Sequence, residues 1–226
     1  MRSSTTRPAA LFFAWLFLIA LTLPGYTANL HYLEETGRQQ TEIDWQIEGE
    51  RSRLSLAVAK SNGQIYTSRH DETGAVIQWH LQNLNQDTDI VARREGNRIL
   101  IGGKVKGKTV VKKIAIDEAP WYQTVSFALT TFAASEDTSV TFWALRTDTL
   151  TPHKMRAMKT GVETISFQKK EIETQKIRVK LTGFKAMFWH SDYWLKKDNG
   201  LFLRYEGIEG PPGTPPTIVT LVTKLP

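Results

Sequence analysis

The chain has 226 residues, no cysteine and a formal net charge of +6. Without cysteine it can form no disulfide, no cysteine-ligated zinc or iron–sulfur centre, and no thiol nucleophile. Its basic residues come in scattered pairs such as Arg93–Arg94, Lys112–Lys113, Lys169–Lys170 and Lys196–Lys197. Nucleic-acid binding calls for clustering on one helix or patch, so it is not indicated; weak peripheral contact with an anionic membrane surface is what such a charge allows.

In chain order, residues 1–28 differ in kind from the rest. Arg2 and Arg7 form a short basic region, and the 13 uncharged residues Leu11 to Leu23 (LFFAWLFLIALTL) follow, closed by PGYTA. This is the layout of a secretory signal peptide. The run is shorter than the ~20 apolar residues of a membrane-spanning helix. Cutting after Ala28 puts Tyr26 at the −3 position, and cutting after Thr27 puts Gly25 there; an uncleaved N-terminal anchor is the alternative. A periplasmic location is the expectation, with residues 29–226 forming one domain of ordinary size.

Most of that domain alternates with period two. EIDWQI (42–47) sets Ile43, Trp45 and Ile47 on one face, RLSLAV (53–58) does the same with Leu54, Leu56 and Val58, and IRVKLT (177–182) with Ile177, Val179 and Leu181. Such alternation is what half-buried antiparallel strands require. SNG (61–63), ETG (72–74), EGN (95–97), KGK (106–108), KTG (159–161) and DNG (198–200) punctuate the chain as turns, and the last is the strongest hairpin signal. The spacing predicts roughly ten strands.

One segment departs from this rhythm. PWYQTVSFALTTFAAS (120–135) places Trp121, Val125, Leu129 and Phe132 on one helical face, with Pro120 suited to the first turn. The predicted architecture is therefore mainly β: a strongly curved antiparallel half-barrel with one helix packed on its concave face. A single helix is too small to cover that face, so the surplus is either filled by large side chains or left as a cavity. GIEGPPGTPP (207–216) reads as a rigid loop before the final strand in IVTLVTKL (218–225).

Signals for chemistry are weak. Histidines 31, 70, 80, 153 and 190 show no metal-site spacing, and neither a Walker loop nor a GxSxG elbow occurs. No catalytic residue, metal or cofactor is assigned. His190 and Asp192 form H-x-D on one strand face; with Glu206 they are the residues an envelope hydrolase acting on sugar or ester would use. Aromatic residues are the stronger feature. Phe142, Trp143, Phe188, Trp189, Tyr193, Trp194, Phe202 and Tyr205 come from strands expected to be neighbours, and adjacent pairs such as Phe142–Trp143 face opposite sides, so both faces need shelter.

Two motifs carry a resemblance. FWALRTDTLTPHKMRAMKTGVETI (142–165) supplies Arg146, Asp148, Lys154, Met155, Ala157, Gly161 and Glu163, and DNGLFLRYEG (198–207) follows. In these the chain resembles bacterial exported proteins of unknown function grouped with the lipoprotein-carrier (LolA/LolB-like) half-barrels. The resemblance covers about half of residues 29–226. It implies a curved sheet around an apolar cavity plugged by helix, and no catalytic residues to carry over. The reading that follows is a non-enzymatic periplasmic protein binding a lipid-like or amphipathic molecule, or an envelope partner. Trp121, Phe127, Phe132, Phe142, Phe188 and Trp194 are the expected lining, with Arg146, Lys154 and Glu206 as polar guides at the mouth. A structural adaptor offering IVTLVTKL for strand addition is a further alternative.

Overall fold

The computed structural model describes residues 26–50, 53–183, 189–208 and 213–222. Among these the chain forms fourteen strands. The first eight are β1 (Tyr26–Thr36), β2 (Gln39–Glu50), β3 (Arg53–Ser61), β4 (Gln64–His70), β5 (Val76–Asn83), β6 (Thr88–Arg94), β7 (Arg98–Val105) and β8 (Lys108–Ala115). The helix α1 (Val125–Ala134) follows. The remaining six are β9 (Ser139–Leu145), β10 (Pro152–Phe167), β11 (Lys170–Leu181), β12 (His190–Lys196), β13 (Phe202–Gly207) and β14 (Thr217–Leu221).

All fourteen belong to one antiparallel sheet in the order β8-β7-β6-β5-β4-β3-β2-β1-β14-β13-β12-β11-β10-β9. Strands consecutive in the chain are neighbours in the sheet except β8 and β9, which the stretch through α1 separates, and β14 joins the two halves by pairing with both β13 and β1. The sheet is mainly β with one α-helix, as expected, but it has fourteen strands where about ten were predicted. Turns without a glycine signal account for part of the difference. Gln168 and Lys169 connect β10 to β11 with φ of 50° and 65°, so a sharp turn exists with neither glycine nor asparagine to announce it. KTG (159–161), conversely, is no turn: β10 runs through it and shifts register between Lys159 and Gly161, a bulge in a continuous strand.

The sheet rolls on itself. β9 lies at one edge, and its two faces are buried against different cores. Phe142 and Ala144 join the main core, while Trp143 and Leu145 pack with Trp79, Ile90, Ile99 and Ile101 from β5–β7. The far wing of the sheet therefore laps over the outer side of β9. A strap, residues 116–124, ties the two ends. Trp143 N–H donates to the Pro120 carbonyl and Tyr122 N–H to the Trp143 carbonyl, both at 2.8 Å, and Val76 N–H reaches the Trp121 carbonyl at 2.7 Å. This pairing claims residues 120–122, which the sequence pattern assigned to a first helical turn; the helix starts only at Val125.

The helix fills much of the hollow. Phe127, Ala128, Leu129 and Phe132 are buried in the main core with Tyr32, Leu195, Phe202 and Leu203. Two glycine turns at one end of the roll seat its C-terminal half. Gly74 (φ 84°) lies under Thr131 and Ala128, and Gly200 (φ 70°) under Thr130, so a β-carbon at either would collide with the helix. Its N-terminal end is left facing the other end of the roll.

Candidate ligand cavity

At the N-terminal end of α1 the core does not close. A cavity of about 300 Å³ is lined by Ile43, Trp45, Tyr66, Trp79, Tyr193, Phe202, Tyr205 and Val219, with Gln123, Thr124, Val125, Ser126 and Thr147 on its helical side. Trp45 from β2, Tyr66 from β4, Trp79 from β5 and Tyr193 from β12 line it, and a register shift opposite Trp194 and Leu195 brings both Phe202 and Tyr205 of β13 to the same face although they are three residues apart. The rings are mutually braced. Trp45 lies 4.5 Å from Phe127 between centroids, Tyr193 5.1 Å from Tyr205, and Phe202 stacks on Tyr32 at 5.3 Å. Tyr32, wholly buried, donates its hydroxyl to the Phe202 carbonyl at 2.8 Å. Such walls, apolar and aromatic with a few polar groups, suit an apolar or amphipathic molecule.

The polar side is built around two anchored residues. The Gln123 side chain donates to the Leu145 carbonyl (2.8 Å) and accepts from the Leu145 N–H (2.9 Å) and the Trp121 indole (3.0 Å), standing in for a strand at the β9 edge. Thr124 precedes α1 but makes no side-chain cap. Its hydroxyl donates instead to Ser68 Oγ at 2.9 Å, and Ser68 lies 2.9 Å from His70 Nε2. His70 Nδ1 sits 3.0 Å from the Gly74 carbonyl. A carbonyl can only accept, so Nδ1 carries the proton, Nε2 accepts, and Ser68 must donate to it. Burial holds His70 below its ordinary value of 6.5, against the opposing pull of the Gly74 carbonyl and Asp71. This buried relay fixes the helix N-terminus beside the cavity.

The predicted lining falls elsewhere. Phe127 forms the packed floor beneath the cavity, and Phe142 lies in the same core. Trp121 is fully buried under the far wing. Phe132 lines a different cleft, of about 590 Å³ at the other end of the helix, among Asp71, Glu118, Asp137, Arg94 and Tyr122. Burial, with Asp71 and Asp137 nearby, pushes the Tyr122 phenol up to about 12. Phe188 lies outside the described residues, as do residues 209–212 of the proline-rich loop. Trp194 is on the convex face, its ring between Lys176 Nζ (4.8 Å) and the Arg204 guanidinium (5.3 Å), its indole donating to Glu163 at 2.9 Å.

The expected polar guides divide likewise. Arg146 pairs with Asp148 next to Thr147, at the cavity rim. Lys154 pairs with Asp117 of the strap and lies over Trp143. That lysine and the Trp143 indole together hold the Asp117 carboxyl down at about 2. Glu206 is on the convex face, bonded to Arg204 at 3.0 Å. So are its hydrolase partners. Arg178 holds both Asp192 oxygens at 2.7 Å, His190 is exposed, and none of the three lines the cavity. Burial alone would raise the Asp192 carboxyl, but Arg178, Lys176 and His190 outweigh it and lower it.

Tyr193, Phe202 and Tyr205 belonged to the aromatic group visible in the sequence, and alternation could have separated them from Trp194. In HSDYWLK, Tyr193 shares a face with buried Ser191 and Leu195, whereas Trp194 shares one with Asp192 and Lys196. Tyr66 and Trp79 stood outside that group: consecutive hairpins align Trp45 with Ala59 and Ala59 with Tyr66, and the roll of the sheet sets these rings opposite Tyr193, Phe202 and Tyr205.

No protein-family model matches the chain, and no curated protein sequence matches it. Solved structures do. A β-barrel-like protein of the domain of unknown function DUF1849 from Brucella abortus aligns over 87% of this chain and 96% of its own, at 10% identity and a TM-score of 0.57. The hypothetical lipoprotein YmcC from Escherichia coli aligns over 88% and 85%, at 10% identity and a TM-score of 0.42. A LolA superfamily protein from Nitrosomonas europaea aligns over 91% and 89%, at 7% identity and a TM-score of 0.29. The likeness to the Brucella abortus protein is one of fold, that of a β-barrel-like antiparallel sheet.

Proposed function

We propose that this is an exported, envelope-located binding protein whose cavity takes the apolar part of a lipid-like or amphipathic molecule. The observation that carries the reading is the hollow between the α1 N-terminus and six aromatic rings. A folded chain of this kind ordinarily packs its core to crystal-like density. Here Phe127, Tyr32 and Leu129 do so, yet the same core stops short beneath an apolar space that opens at one end of the roll. The volume lies at the lower end of the ~300–1,000 Å³ typical of small-molecule sites. At roughly 30 Å³ per water it equals about ten waters, enough for one acyl segment and too little for several side by side. The signal-like residues 1–28 support export.

The test is titration with a fluorescent fatty-acid probe whose emission rises in an apolar site, using the full chain and Ser126→Phe. Ser126 lines the cavity from the first turn of α1 and is only half-buried, so a ring there fills the hollow without disturbing the core below. Saturable one-to-one binding that Ser126→Phe abolishes supports the proposal. Binding unaffected by that substitution sinks it.

A further inference from the structure

The two edges of the rolled sheet are treated differently. The β9 edge is covered by the chain itself, through Pro120, Tyr122 and the Gln123 side chain. β8, at the other end, has β7 as its one strand neighbour among the described residues. From this contrast we propose that β8 is a docking edge that receives an extended, acidic segment of a partner protein as one more strand.

Register identifies the atoms involved. The two-residue turn Lys106–Gly107 closes on the Val105↔Lys108 pair, which in such hairpins exchanges hydrogen bonds. The bonded pairs then recur as Gly103↔Val110, Ile101↔Lys112 and Ile99↔Ile114. The alternate residues Thr109, Val111, Lys113 and Ala115 therefore aim their N–H and C=O groups away from the sheet. All four are exposed, Val111 by 84%. An open row of this length is the template that strand addition uses.

Charge selects the guest. Between residues 98 and 116 the chain carries Arg98, Lys104, Lys106, Lys108, Lys112 and Lys113 and no acidic residue. An incoming strand with carboxylates on the face of Lys108 and Lys112 and apolar residues on the face of Val111 complements both faces of β8. A second copy of the same hairpin would instead bring like charges together. β14, the strand the sequence suggested for this role, is unavailable: it lies inside the sheet between β1 and β13.

The experiment uses the full chain and a short labelled peptide of alternating Glu and Val, with a Lys–Val peptide as control. Val111→Pro removes an N–H that no strand of the fold uses, so the β7–β8 ladder survives. Expected are salt-sensitive binding of the Glu–Val peptide only, weakened about tenfold by Val111→Pro, and new hydrogen-exchange protection confined to the amides of Thr109, Val111, Lys113 and Ala115. Equal binding by Val111→Pro, or protection without that alternation, overturns the proposal. So does attachment of both proteins alike to phosphatidylglycerol vesicles with no peptide binding, or a dimer in ultracentrifugation that Val111→Pro dissolves. Unchanged fatty-acid probe binding in Val111→Pro keeps the outcome separate from that of the cavity.

Discussion

Phe127→Ala tests the boundary between packed core and cavity. Phe127 is 2% exposed, with ring neighbours Trp45 at 4.5 Å, Phe202 at 6.0 Å and Tyr32 at 6.2 Å. Removing its ring forfeits about 1.5–3 kcal/mol of burial. Each ~40 Å³ left empty costs about 1 kcal/mol more, so the total is about 3–5 kcal/mol. Two of those neighbours, Trp45 and Phe202, also line the cavity, so the vacated space joins it. The expected result is a lower urea midpoint with unchanged m-value, together with tighter binding of longer fatty acids in a chain-length series. Stabilities of wild type and variant within about 1 kcal/mol of each other would refute the packed floor. Lost stability with unchanged chain-length preference would refute its continuity with the cavity.

Two further predictions concern the supports of the site. His70 is held neutral by burial, its folded value below 6.5, so the unfolded chain binds the extra proton. Stability is then full above about 6.5 and declines as pH falls below it; thermal melts across that range should show the decline, and His70→Gln should flatten it. Gly103, at φ 138°, sits where a β-carbon would overlap the Asp89 carbonyl on β6. Gly103→Ala should cost about 2–4 kcal/mol by chemical denaturation, and a cost near zero would mean that β6 and β7 are not so closely paired.

Much of the architecture was legible because it is local. Period-two runs such as EIDWQI and IRVKLT lie in β2 and β11, and the opposed faces of Phe142 and Trp143 both found shelter, one in each core. What escaped was written in long-range contacts. Trp121 fits a helical face by spacing, but the free edge of β9 competes for its backbone and wins. Leu84–Gln86 and Gln168–Lys169 turn the chain without glycine, hiding strand boundaries. The cavity wall unites β2, β4, β5, β12 and β13, and no spacing in a linear sequence encodes how far a sheet rolls.

The most direct measurement of the central claim is native mass spectrometry of the full chain purified gently from the cell envelope, beside Ser126→Phe. The wild-type mass should carry one lipid-sized adduct, absent from the variant. A bare mass for the wild type that persists when excess fatty acid is added, or an adduct that Ser126→Phe retains, would contradict it.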